Sequence, residues 1–206
     1  MLRRTLIAIL LLATGAFHAA AAERLNASVL SRPEAIPKFA LVDGGGTAFT
    51  QQRLTGHWSL LAIGYTNCTD TCPFTMANLD AVVKAMAARP NALPEPMVVF
   101  VGVDPARDKP ALKQWVDQFN PQFIGITGRN ADIAALVKGI GGFYRLGKPH
   151  KDGSYDVTHS GGVSVIDPAG RVRARLLLPM PPEKTAEFLF HLMSGAPVIA
   201  RADGAR

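Results

Sequence analysis

Both cysteines of the chain stand in YTNCTDTCPFT, Tyr65 to Thr75, at positions 68 and 72, with Thr69, Asp70 and Thr71 between them. Three chemistries use such a pair: a structural bridge, thiol-disulfide exchange, and capture of a soft metal ion such as Cu(I). Pro73 suits a first helical position, where its missing N–H costs nothing, and this predicts Cys72 at the helix cap and Cys68 in the loop before it. There the unpaired amides and the positive end of the helix dipole favour both thiolates. Thioredoxin-type catalysts carry two residues between their cysteines. Three give a wider, more adaptable bite, which shifts weight towards a metal without deciding the matter.

A cation held by two sulfurs commonly wants an imidazole as well, and the five histidines are unequal candidates. His18 falls in the basic and apolar start of the chain, His57 precedes an apolar run, His150 lies in the charged GKPHKDG segment, and His191 sits beside Phe188, Leu189 and Leu192. Each reads as a surface or packing residue. His159, in YDVTHSGGVSVIDPAG, ends a polar loop directly before a strand, and Gly161 and Gly162 permit close backbone approach. The segment VDPARD adds Asp104, Arg107 and Asp108. They read either as a helix-entry turn with a surface ion pair or as groups that tune the ligands or dock a partner. Arg171, Arg173 and Arg175, alternating with apolar residues, read as a solvated strand face, with a dock for an acidic partner as the alternative.

The elements that must carry these residues follow from periodicity. KFALVDGGGTAFT alternates and turns on its glycines, as a hairpin does, and no P-loop lysine accompanies the triplet. Trp58 to Tyr65 and PMVVFVGVDP are apolar runs suited to buried strands. Met76, Leu79, Val82, Val83 and Met86 make one helical stripe from about Pro73 to Ala88, its methionines core filling. Pro110 can open a helix through Leu112, Trp115, Val116 and Phe119, and Asn130 can cap another that stops at Gly141 and Gly142. QFIGITG is a short strand, DPAG joins two more, and Pro182 to Met193 forms a last amphipathic helix. Strand and helix alternate, with the cysteines where a strand hands over to a helix. The expected class is α/β with a thioredoxin-like fold: a central mixed sheet flanked by helices, with an N-terminal β-hairpin. On that frame the start of the DPAG hairpin faces the strand-to-helix junction, so His159 can reach the cysteines.

Domain organisation follows from composition. Arg3 and Arg4, the apolar run Leu6 to Leu12 and the alanines at 19–22 read as a signal peptide over 1–22, with a retained membrane anchor as the alternative. Residues 23–37 are expected to be irregular, 38–194 to form one globular domain, and 195–206 a loose tail. A chain of 206 residues, 48% apolar and 18% charged, suits a single core. A net charge of +6 favours an acidic partner only weakly, and without dense Lys/Arg runs interleaved with aromatics nucleic acid is an improbable ligand.

Four segments, IGYTNCTDTCPFT, VVFVGVDPARDKPALKQWV, FIGITGRNADIAALVKGIGGFYR and YDVTHSGGVSVIDPAGRV, together resemble the SCO/SenC family of copper chaperones. The resemblance implies a thioredoxin-like domain in which Cys68, Cys72 and His159 bind copper as Cu(I) or Cu(II). It implies a periplasmic site of action, soluble after signal cleavage or tethered by the N-terminal segment. The implied client is the copper A domain of cytochrome c oxidase subunit II, with another periplasmic copper chaperone as a further partner. It points to a metallochaperone rather than an enzyme, with thiol-disulfide oxidoreduction of client cysteines as the alternative. Thr69 stands where members often have proline, Thr158 where many have aspartate, and Ser164 where an aromatic is frequent. None of these departures removes an implied ligand.

Overall fold

The computed structural model describes residues 24–196, so the expected leader, 1–22, and the tail from 197 lie outside the described residues. The described chain runs β1 (Asn26–Ala35), β2 (Ala40–Asp43), β3 (Ala48–Thr50), a 3₁₀ turn (Gln51–Leu54), β4 (Ser59–Gly64), α1 (Thr71–Ala87), β5 (Met97–Gly102) and α2 (Pro105–Asp117). It continues through β6 (Ile124–Gly128), α3 (Asn130–Gly139), β7 (Tyr144–Leu146), β8 (Val157–His159), β9 (Val163–Ile166), β10 (Arg171–Leu177) and α4 (Pro182–Ser194). Eight strands make one mixed sheet in the order β1-β10-β9-β4-β5-β6-β2-β3, while β7 and β8 pair as a separate ribbon.

The centre of the sheet is parallel, β4 beside β5 beside β6, because α1 and α2 form the crossovers between them. Being covered on both faces, β4 and β5 are apolar at nearly every position, and their side chains alternate between two cores. Leu60, Ala62, Val98 and Phe100 pack with Cys72, Met76 and Leu79 of α1, Leu112 and Val116 of α2, and Leu189 of α4. Leu61, Val99 and Val101 face the other way, onto Ile133, Leu136 and Val137 of α3 and Phe49. β4 and β5 both end in glycine for a steric reason. A Cβ on Gly64 would lie 2.7 Å from Cys72 Sγ, and one on Gly102 would lie 2.7 Å from Asp108 Oδ2. These two side chains fold back over the strand ends.

Several boundaries differ from the sequence reading. The stretch 23–37, expected to be irregular, contains β1, which pairs antiparallel with β10 at the sheet edge. Pro33 sits inside it where the register shifts between Val29 and Glu34, a place where a residue without an N–H is tolerated. The β2–β3 hairpin forms as expected but closes the opposite edge, against β6. Helix α2 begins at Pro105 rather than Pro110, which lies inside it. Asn130 is the first helical residue of α3 and provides no side-chain cap. The arginines of β10 are engaged rather than merely solvated. Arg171 pairs with Asp167, Arg173 donates to the Leu30 carbonyl at 2.6 Å, and Arg175 pairs with Glu34 at 2.6 Å.

Candidate metal centre

The loop after β4 and the first turn of α1 carry the two cysteines, which are not bonded to each other. Helix α1 starts two residues earlier than Pro73 implies: Asp70 is the cap, Thr71 the first helical residue and Cys72 the second. Cys72 is therefore drawn into the helix and is only 3% exposed, under the end of β4. Cys68 stays in the loop, partly exposed, where it accepts the Cys72 amide at 3.5 Å and lies 3.7 Å from Thr71 Oγ1.

The two thiols are electrostatically unequal, and the expectation of two favoured thiolates holds for only one of them. Partial burial works against ionising Cys68, yet hydrogen bonds from the Asp70 and Cys72 amides draw it below the ordinary thiol value. Burial pushes Cys72 far up; the Tyr65 amide opposes it without cancelling it, and the neighbouring Cys68 and Asp108 add to the rise. In the metal-free protein at neutral pH Cys72 is thus a thiol. Iodoacetamide on the reduced, metal-free protein should alkylate Cys68 first. Its half-maximal rate should fall below pH 9.0, the unperturbed thiol value, because a lowered pKa keeps thiolate present at lower pH. Mass mapping that found Cys72 labelled as fast at pH 7 would contradict this.

His159 closes β8, 87 positions from Cys72 along the chain, and its Nε2 lies 3.5 Å from Cys72 Sγ. Its Nδ1 lies 2.9 Å from the Ser160 carbonyl, which can only accept, so the ring proton belongs on Nδ1. Nε2 then presents its lone pair to Cys72, and the Cys72 thiol is the donor across the S···N contact. An imidazole fixed by its far nitrogen is the usual disposition of a metal-binding histidine. The ring also stands edge-on to Tyr65, with centroids 5.9 Å apart. Among the described residues no three donors are already closed around a cation position. Cys68 sits beside Cys72 on its partly exposed loop.

The other described histidines stay away from the sulfurs. His150 faces Asp156 at 3.5 Å on the surface and His191 stacks edge-on against Phe190. His57 lines a cavity of about 310 Å³ with Glu95, Met97 and Asn120. That cavity opens at the starts of β4 and β5, the strand ends opposite to the cysteines.

Asp104, Arg107 and Asp108 surround the first turn of α2, beside the cysteine loop. A surface ion pair is the wrong description, since both aspartates are fully buried. Asp108 accepts the Thr66 amide at 2.7 Å, the Thr66 hydroxyl at 2.9 Å and the Asp104 amide at 2.8 Å. Its burial nevertheless holds its carboxyl above the ordinary range, against those three donors. Asp104 accepts Arg107 Nε on one oxygen and the Tyr155 hydroxyl, at 2.7 Å, on the other. Tyr65, Thr66 and Tyr155 were not singled out from sequence. A tyrosine or threonine near a cysteine carries no pattern, and only the fold reveals which buried carboxylate it meets.

Comparison with known proteins fits this arrangement. The SCO1/SenC family model matches residues 28–194. A SCO2-like protein of Rickettsia conorii is 33% identical over 154 residues, covering 73% of this chain and 73% of its own. The structure of Bradyrhizobium japonicum ScoI with copper bound aligns with a TM-score of 0.67 at 32% identity, over 76% of this chain and 98% of that one. Yeast Sco1 with copper bound gives 0.72 at 27% identity, over 84% and 97%. The thioredoxin-like frame expected from the order of elements is the one these structures share. With a family model spanning nearly all of the described chain and a relative above 30% identity across most of both sequences, the chain belongs to the SCO1/SenC family.

Proposed function

We propose that the protein is a periplasmic copper metallochaperone: it carries Cu(I) or Cu(II) as cargo on Cys68, Cys72 and His159, for assembly of the copper A centre in subunit II of cytochrome c oxidase. The observation that carries this reading is the 3.5 Å contact between Cys72 Sγ and the lone-pair nitrogen of His159, with Cys68 beside them. Two soft sulfurs and one imidazole suit copper, and the relatives whose structures hold copper share the frame on which these residues sit. The family's part in assembling cytochrome c oxidase supports this choice of client. The periplasm is the compartment where a secreted chain meets that subunit.

The residues would act as follows. His159, held at Nδ1 by the Ser160 carbonyl, offers Nε2 to the cargo. Cys72 gives up its thiol proton on loading, and Cys68 swings in from its loop. Three protein donors leave a side of the ion open, so a partner's sulfur can bind before the old bonds break. Because Cys72 starts as a thiol, uptake at neutral pH should release at least one proton per ion, and affinity should rise by about tenfold per pH unit for each proton released. Calorimetry of Cu(I) loading in buffers of different ionisation enthalpy measures this directly. Uptake without proton release would contradict the assignment of Cys72.

The asymmetry of the thiols favours a second reading. An accessible Cys68 that ionises more readily than an ordinary thiol, beside a buried Cys72 thiol, is the layout for attack on a client disulfide. Cys68 would form a mixed disulfide, then Cys72 would displace the client's second sulfur, leaving a Cys68–Cys72 bond and a reduced client dithiol. That activity needs no imidazole ligand and should survive His159→Ala, whereas tight copper uptake should not.

A further inference from the structure

The donors lie 87 positions apart along the chain and are tied on one side only, where β9, which begins four residues after His159, pairs with β4 at Ala62↔Val163. The cysteines follow a central strand of the main sheet. His159 ends the two-stranded ribbon β7–β8, outside that sheet, on the far side of the 147–156 loop. The start of α2 touches both. On the cysteine side, Asp108 holds the backbone and hydroxyl of Thr66, and the Arg107 guanidinium lies 5.6 Å from the centre of the Tyr65 ring. On the histidine side, the same guanidinium lies 4.0 Å from the Tyr155 ring and reaches its carbonyl at 3.5 Å, while the Tyr155 hydroxyl bonds Asp104. Arg107 is thus shared by two tyrosines, one three residues before Cys68 and the other four residues before His159, and is fixed by a fully buried carboxylate.

We infer that Asp104, Arg107 and Tyr155 form a clasp that keeps the ribbon against the cysteine loop and so determines whether His159 remains on the bound ion. They are positioning residues, since none carries an atom onto the cargo. The inference rests on the copper site proposed above. A planar guanidinium can stack on a ring, pair with a carboxylate and donate to a carbonyl at once, which an ammonium cannot. With the clasp open, the ribbon can pull the imidazole away and leave a two-sulfur ion that a competitor strips sooner.

The test uses Tyr155→Phe, which removes only the hydroxyl, and Arg107→Lys, which keeps a charge for Asp104 but loses the planar fork. Each is made alone and combined with His159→Ala, in the full-length reduced protein loaded with Cu(I). X-ray absorption counts sulfur and nitrogen donors, and transfer to a chromogenic Cu(I) chelator gives the release rate. Thermal unfolding of the metal-free proteins checks that the fold persists. Each clasp variant is expected to lose the nitrogen donor and to release copper about tenfold faster or more, as changes around a ligand typically do. In the His159→Ala background the same changes should add nothing further, because the ligand they position is gone. Equal acceleration with and without His159, or an intact nitrogen donor with unchanged release, would overturn the clasp while leaving the ligand set standing. If His159→Ala alone changed neither donor count nor rate, the ligand set itself would fail, and the clasp with it.

Discussion

Replacing Cys72 with alanine should weaken Cu(I) binding by more than about a hundredfold, beyond the ~10–100-fold that changes around a ligand cost. Cys68→Ala should do nearly as much, and His159→Ala somewhat less, since two sulfurs can still hold Cu(I) alone. The ranking follows from the geometry. Cys72 is the one donor in contact with both others, through its amide to Cys68 and its sulfur to His159. It is also locked by Gly64, whose missing Cβ makes room for the sulfur. Competition between the reduced proteins and a Cu(I) chelator gives the affinities. Four proteins binding alike would show that the ion sits elsewhere.

A large loss of stability should come from Asp108→Ala. It would strand the Thr66 amide, the Thr66 hydroxyl and the Asp104 amide at a fully buried position, at a cost of about 1–3 kcal/mol for each group left unpaired. A total near 3 kcal/mol corresponds to a Tm lower by roughly 6–12 °C for a chain of this size. Asp108→Asn should lose less, because its carbonyl can still serve Thr66 while its amide meets the Asp104 N–H. The pH dependence has a definite sign. Burial raises the folded-state value of this carboxyl above 3.8, so the group's linked contribution is full below that value and declines as pH rises through the folded-state value. Calorimetric unfolding of both proteins across acid pH measures it, and a gap that widened with rising pH would contradict the assignment.

Much of the fold was legible because the central strands and helices state their burial in their periodicity. Trp58 to Tyr65 reads as a strand buried on both faces, and the stripe from Met76 to Met86 as a helix, because long apolar patterns have few alternatives. The edges were not legible. β1 carries Pro33 and a register shift, and the three-residue strands β7 and β8 are too short to show an alternation. His159 could be placed near the cysteines only through the frame, since nothing in THSGG distinguishes a ligand from a loop residue. The inequality of the thiols was illegible for a different reason. The sequence puts both at a helix start, and only the packing of Cys72 beneath Gly64 beside Phe100 decides that desolvation outweighs the helix field there. In the same way VDPARD leaves a surface turn and a ligand-tuning or docking role equally open until the fold buries its two carboxylates.

The central claim is that two sulfurs and one imidazole, far apart in sequence, hold a single copper ion. X-ray absorption on the reduced full-length protein with one equivalent of Cu(I) tests it most directly. The account predicts two sulfur donors and one nitrogen donor from imidazole, with the nitrogen lost in His159→Ala. A first shell without sulfur, or one that His159→Ala leaves unaltered, would contradict it.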